Sequence, residues 1–226
     1  MVDYKDIIAM EATRDENYFY VHWNIGKRCN YNCVYCPDNL HDMHSPHRDF
    51  ENLKTIADKI ELNSPKPKVR IWFTGGEPTV NPAFSKLCKH LKSKNGWIVG
   101  LNTNGSRTAN YYKQLIQQID VIQFSSHFEY LETTDEFENK LVTAHAEAQK
   151  QQHKHISLNL MMEPEFWDKA VRLVKFCENN EIRYSMKRIR KKWGPNGYEP
   201  VYNPDQLEFL NNTEFRFKML EQIDEA

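Results

Sequence analysis

Hydrophobic and polar positions fall into a repeating pattern, in which short runs rich in β-branched and aromatic residues alternate with longer amphipathic stretches about every thirty residues. Six runs predict strands: YFYVHWN (18–24), KVRIWFT (68–74), WIVGLNT (97–103), VIQFSSH (121–127), ISLNLMM (156–162) and RYSMKRI (183–189). The stretches between them predict helices at about 50–62, 82–94, 109–118, 135–151 and 165–179, with Asn81 and Pro82 as cap and first-turn residue of the second. Strict alternation implies parallel strands joined by right-handed crossovers, as an open doubly wound sheet or a barrel. Either way the βα loops converge at the strand C-termini, and the unusual residues of this chain concentrate there. Residues 1–17 read as an N-terminal extension, 18–190 as the core, and 191–226 as a C-terminal loop and helical extension. In that last part KKWGPNGYEPVYNPDQ (191–206) is turn-rich, and Asn203-Pro204 opens a final helix through LEFLNN.

A chain of 226 residues fits one domain with one core. Its 40% hydrophobic and 27% charged residues match ordinary globular usage. With 30 basic against 31 acidic residues, no global field argues for nucleic acid or an anionic membrane as partner. The first twenty residues hold no apolar stretch of the secretory kind, and no run is long enough to span a membrane. Five cysteines, three of them within eight residues, suit metal ligation in a reducing compartment better than a disulfide framework, so the expected location is cytoplasmic.

Those three, Cys29, Cys33 and Cys36, follow C-x3-C-x2-C spacing in one irregular loop after the first strand. Soft thiolates select iron-sulfur clusters or zinc, and three protein ligands on a four-iron cluster leave one iron open to an exogenous molecule. The rival is a structural zinc knot completed by His41, His44 or His47, which otherwise read as a polar surface loop. Such a knot would make the chain a zinc-stabilised binding module.

The cysteine spacing, with Tyr35 as an aromatic residue just before the third cysteine, resembles the signature of the radical S-adenosylmethionine (SAM) superfamily. One βα unit later, Gly75-Gly76-Glu77-Pro78 resembles the GGEP motif that cradles the methionyl ammonium of SAM in that family. Two glycines permit close backbone approach to a ligand, and a glutamate accepts hydrogen bonds from an ammonium donor. The resemblance covers roughly residues 18–190 and implies a partial (β/α)6 TIM-like barrel. It also implies a [4Fe-4S] cluster on Cys29, Cys33 and Cys36, whose open iron chelates SAM, and reductive cleavage to a 5'-deoxyadenosyl radical that abstracts hydrogen from a substrate. An electron donor such as flavodoxin or ferredoxin would serve it. The substrate stays open among a small metabolite or nucleotide, a peptide, and a glycyl-radical partner, for which the chain would be an activating enzyme.

Further positions are read in part from the same resemblance and in part from their own chemistry. Asn104, in a TNG segment at the third strand's end, could face the cofactor. Ser125 and His127 share one face of the fourth strand, where the family uses polar groups for the SAM ribose, although many members carry Ser-x-Asp there. His127 is equally readable as a substrate contact. Asn159, a polar residue among Leu158, Leu160 and Met161, needs a partner, structural or adenosyl. Lys187, Arg188, Arg190, Lys191 and Lys192 form a basic run that reads as a solvated face, unless one member, Lys187 or Arg188, pairs with the SAM carboxylate or an anionic substrate. Cys88 and Cys177, on predicted amphipathic helices, read as buried structural thiols.

Overall fold

The computed structural model describes residues 7–9, 17–190 and 197–216. Lys191, Lys192 and part of the turn-rich segment lie outside them. Seven strands form one sheet in sequential order, β1 (Ile7–Ala9), β2 (Tyr18–Asn24), β3 (Lys68–Thr74), β4 (Ile98–Thr103), β5 (Val121–Ser126), β6 (His155–Met162) and β7 (Arg183–Arg188). The last six are parallel, and β1 pairs antiparallel with β2. Sequential order decides the choice left by the pattern. A doubly wound sheet reverses its order at a switch point, whereas here each strand is added on the same side, as in a barrel. With β1 and β7 as its two edges, the barrel is partial.

Five helices run between the strands: α1 (Phe50–Asn63), α2 (Phe84–Lys92), α3 (Ala109–Gln118), α4 (Asp135–Ala148) and α5 (Trp167–Asn179), with α6 (Pro204–Asn211) after β7. Their starts follow local chemistry. Asp49 caps α1 by accepting from Asn52 N, Thr108 caps α3 by accepting from Tyr111 N, and Asn203 with Gln206 closes a capping box on α6. The second helix begins later than expected. Asn81 accepts from Ala83 N at 2.8 Å in a turn, and regular helix starts at Phe84, so Asn81 leads into α2 rather than capping it.

The pleat sorts each strand's residues between two faces. Ile71 and Phe73 of β3, Phe124 of β5 and Leu158 of β6 face the helices and are fully buried in one continuous core. Each contributes about 1.5–3 kcal/mol on burial. Cys88 and Cys177 are buried in the same core, as expected of structural thiols. The alternate positions, Asn24, Trp72, Thr74, Asn102, Gln123, Ser125 and Asn159, form a polar inner face in register across β2 to β6. Trp72 lies across this face, donating from Nε1 to Asn102 Oδ1 at 2.8 Å. Gly100 makes room for it, since a Cβ there would come within 2.3 Å of the indole. Among the described residues, no helix is long and apolar enough to cross a membrane.

Candidate active site

The loop after β2 is fastened to the end of β3 by main-chain hydrogen bonds. Gly76 N donates to Gly26 O and Glu77 N to Arg28 O, each at 2.9 Å. Cys29 N donates to Asp42 O and Asp42 N to Lys27 O, closing the loop back on itself. This contact explains the paired glycines in a way the motif alone does not. A Cβ on Gly75 would lie 2.4 Å from Asn24 Oδ1, and one on Gly76 2.3 Å from Arg28 O. Gly75 also has φ +116, outside the range side chains favour. The glycines therefore let the strand end pack on the cysteine loop, as well as bordering the cavity beside it.

That cavity, ≈ 290 Å³, opens at the C-terminal ends of the strands. Cys29, Cys33 and Cys36 line it together with Tyr35, Gly75, Gly76, Glu77, Asn104, Ser125 and His127 of the residues singled out from the sequence. Three of the residues expected to contact SAM do not. Pro78 is buried at the start of a short helical turn, Pro78–Val80. Asn159 pairs in register with Ser125 on the inner face, where its Oδ1 is buried without a hydrogen-bond partner. Lys187 pairs with Met161, which does line the cavity, but its own side chain lines a separate cavity at the β7 edge. Register also separates Lys187 from Arg188: the first continues the row of Met161, the second that of buried Met162 and lies over the Tyr202 ring at 5.1 Å.

Glu77 is 3% exposed. Its Oε1 accepts from Thr79 N, Thr79 Oγ1 and Thr103 Oγ1, and its Oε2 accepts from Asn104 N at 2.7 Å. Burial raises its pKa, and these donors work against that rise. The carboxyl thus ties the end of β3 to the end of β4 while also lining the cavity. Asn104, held in this way, donates from Nδ2 to Asn30 Oδ1 at 3.0 Å and lies 3.9 Å from Cys29 Sγ.

Across the cavity, His127 Nδ1 lies 2.7 Å from Tyr35 Oη and 3.2 Å from Cys33 Sγ, and the Tyr35 and His127 rings stack at an interplanar angle of 9°. Burial lowers the His127 pKa to about 4, so the imidazole is neutral. An aromatic clamp absent from the sequence reading holds the same loop. Tyr31 stacks on Tyr130 with centroids 4.0 Å apart, and Tyr130 Oη accepts from Asn32 N at 2.6 Å. Tyr130 sits in the turn Phe128–Tyr130 after β5.

The donor set suits an iron-sulfur cluster better than a single ion. None of the five cysteines is in a disulfide. Among the described residues, no three His, Cys, Asp or Glu side chains gather closely enough to share one metal. His41 is occupied otherwise, with Nδ1 3.2 Å from Pro37 O and Nε2 3.0 Å from Asn32 Oδ1, and neither His44 nor His47 lines the cavity. Thiolates on separate corners of a larger cluster need wider spacing than the ligands of one tetrahedral zinc. Burial raises the pKa of Cys29 and Cys33, and no lysine or arginine lines the cavity among the described residues, so a cationic inorganic group is what would deprotonate them. The unpartnered Asn159 Oδ1 leaves a buried acceptor on the same face.

Comparison with known proteins agrees with this arrangement. The chain is 33% identical over 109 residues to the tungsten-containing aldehyde ferredoxin oxidoreductase cofactor-modifying protein of Pyrococcus furiosus, covering 47% of this chain and 30% of that one. It is 31% identical over 94 residues to the GTP 3',8-cyclase of Actinobacillus succinogenes, covering 41% and 28%. The matched segment thus spans less than a third of these curated relatives. Native anSMEcpe with bound AdoMet superposes with a TM-score of 0.61 at 16% identity, covering 91% of this chain and 61% of that one, a likeness of fold. The profile of the Radical SAM superfamily, enzymes that use a [4Fe-4S] cluster and SAM, matches residues 23–177, from the end of β2 into α5 and across the whole cysteine cavity. The chain belongs to the radical SAM superfamily.

Proposed function

We propose that residues 18–190 form the catalytic core, in which Cys29, Cys33 and Cys36 hold a [4Fe-4S] cluster with SAM beside it, flanked by extensions at 1–17 and 191–226. The observation that carries this reading is the meeting of the three cysteines with the ends of β3, β4 and β5 in one cavity. When bound, the cluster and SAM supply a 5'-deoxyadenosyl radical that takes a hydrogen atom from the substrate. The chain's own residues position and exclude. Gly75 and Gly76 bring main-chain carbonyls beside the cysteine loop, where an ammonium would find acceptors. Glu77 fixes Asn104 at the cavity wall. Ser125 and Asn159 offer neighbouring polar groups to a ribose or base edge. Neutral His127 braces Tyr35 against Cys33, and Tyr31, which lines the cavity, is held in place by its stack on Tyr130. An electron donor of the flavodoxin or ferredoxin type would supply electrons. Among the substrate classes, a small molecule rather than a peptide or a glycyl-radical protein accords with the small-molecule chemistry in the name of GTP 3',8-cyclase.

The test is anaerobic reconstitution with iron and sulfide, then dithionite reduction with SAM and chromatography for 5'-deoxyadenosine. Product that disappears in the Cys29→Ala/Cys33→Ala/Cys36→Ala variant supports the reading. Stoichiometric zinc with intact SAM would sink it.

A further inference from the structure

A second cavity, ≈ 630 Å³, lies at the β7 edge beyond the wall of the cysteine cavity. Among the described residues its charged lining is Lys187, Arg188, Arg190 and Glu199, with Tyr202 beneath, Lys187 and Arg188 reaching it from opposite faces of β7. Glu199 is engaged in an interaction of its own. The side chains of Lys187 and Arg190 make no ion pair among the described residues, and Arg188 is committed only to the face of Tyr202. Lys187 and Arg190 are both exposed, and among the described residues neither is ion-paired in the way Lys94 is with Asp58 and Glu61. The floor is built. Tyr202 Oη accepts from Ile189 N and donates to Met162 O, each at 2.8 Å, tying the ends of β6 and β7 together and fixing the ring on which Arg188 rests. This cavity is adjacent to the reaction site. Lys187 pairs in register with Met161, whose side chain lines the cysteine cavity, so one strand spacing of about 4.8 Å separates the two.

We propose that this cavity takes the phosphoryl group of a small-molecule substrate whose reacting carbon extends over Met161 toward the cysteine cavity. Resting on the radical SAM reading above, it names the substrate class. The Arg190 guanidinium offers a forked N–H pair that matches phosphate oxygens, and Lys187, on the inner-face row, adds a point charge. Lys187 is then a substrate-anion residue and not a SAM ligand.

The test is a calorimetric titration of inorganic pyrophosphate into the full chain at low ionic strength, without SAM or reductant. Expected is saturable binding at one site, weakened at least about tenfold in Lys187→Ala and in Arg190→Ala, both exposed positions. A Lys86→Ala/Lys89→Ala variant, which removes two cations elsewhere, should titrate like the wild type. Several results would overturn the assignment: no saturable binding, equal weakening in the Lys86/Lys89 variant, or malonate binding as tightly as pyrophosphate. So would a Lys187→Ala protein that loses SAM in equilibrium dialysis while its pyrophosphate titration is unchanged. Because the titration needs no cluster, it stays readable if the radical chemistry fails. Missing pyrophosphate binding in a preparation that makes 5'-deoxyadenosine would remove the anion site alone.

Discussion

Glu163 follows β6 in a turn where its N–H bonds back to Met161 O, is 2% exposed, and has an Oε1 without a hydrogen-bond partner. Burial, and then the carboxylates of Glu129 and Glu165, push its pKa up from 4.5 to about 8. Glu77 is equally enclosed, but four donors surround its oxygens and oppose the rise. The difference between the two carboxyls is one of partners, not of depth. An acid whose pKa is higher in the folded than in the unfolded chain favours folding while protonated. Its contribution is therefore complete below about pH 4.5 and is lost as pH rises through 8. Replacing Glu163 by Gln, which stays neutral, should flatten that dependence. Thermal unfolding of the two proteins from pH 5 to 9 should show the wild type losing on the order of a few kcal/mol more than the variant. Parallel curves would mean that Glu163 is not the source.

At the scale of elements, the cysteine loop is positioned from outside itself. The stack of Tyr31 on Tyr130 and the bond from Asn32 N to Tyr130 Oη join positions about a hundred residues apart in sequence. Replacing Tyr130 by Ala removes an aromatic pair worth about 0.5–1.5 kcal/mol and one acceptor, while the turn's buried anchor, Phe128, stays in the core. Iron retained after reconstitution and desalting should fall while the far-ultraviolet circular dichroism is unchanged. Full iron retention would show that the clamp does not position the loop. The clamp also marks where sequence reasoning stops. β2 and β3 were legible because Val21 and Trp23, then Val69, Ile71 and Phe73, alternate with less buried neighbours. The C-x3-C-x2-C and GGEP segments were legible as motifs. Three things were not. The strand Ile7–Ala9 is too short to show a period. The packing of Gly75 and Gly76 on residues 24 to 28 depends on a neighbouring strand. Tyr130 looks like any loop tyrosine until the fold brings it to Tyr31.

For the whole molecule, the division between a dry helix-facing core and a polar inner face separates stability from chemistry. The core cluster runs from Val21 to Phe209 and includes neither Cys29, Cys33 nor Cys36. Cys33 is 6% exposed, yet it is covered by loop residues and not by the helices that close the sheet. The apo chain should then tolerate loss of the thiols. Cys33→Ala should remove the cluster chromophore while shifting the apo melting temperature by only a few degrees, because one exchanged loop side chain costs no more than about 1 kcal/mol. Leu101→Ala gives the opposite pattern. Leu101 is 0% exposed on β4 between the helix layer and the sheet, and truncation there should cost about 2–5 kcal/mol through lost burial and the cavity left behind. Its effect on iron uptake should follow the unfolded fraction alone, so that below its melting transition it still takes up the cluster. Apo melts of the two variants beside iron titrations decide the matter. If Cys33→Ala unfolds as readily as Leu101→Ala, the cysteine loop belongs to the folding core, and the fold and its chemistry are not separable in the way the burial pattern implies.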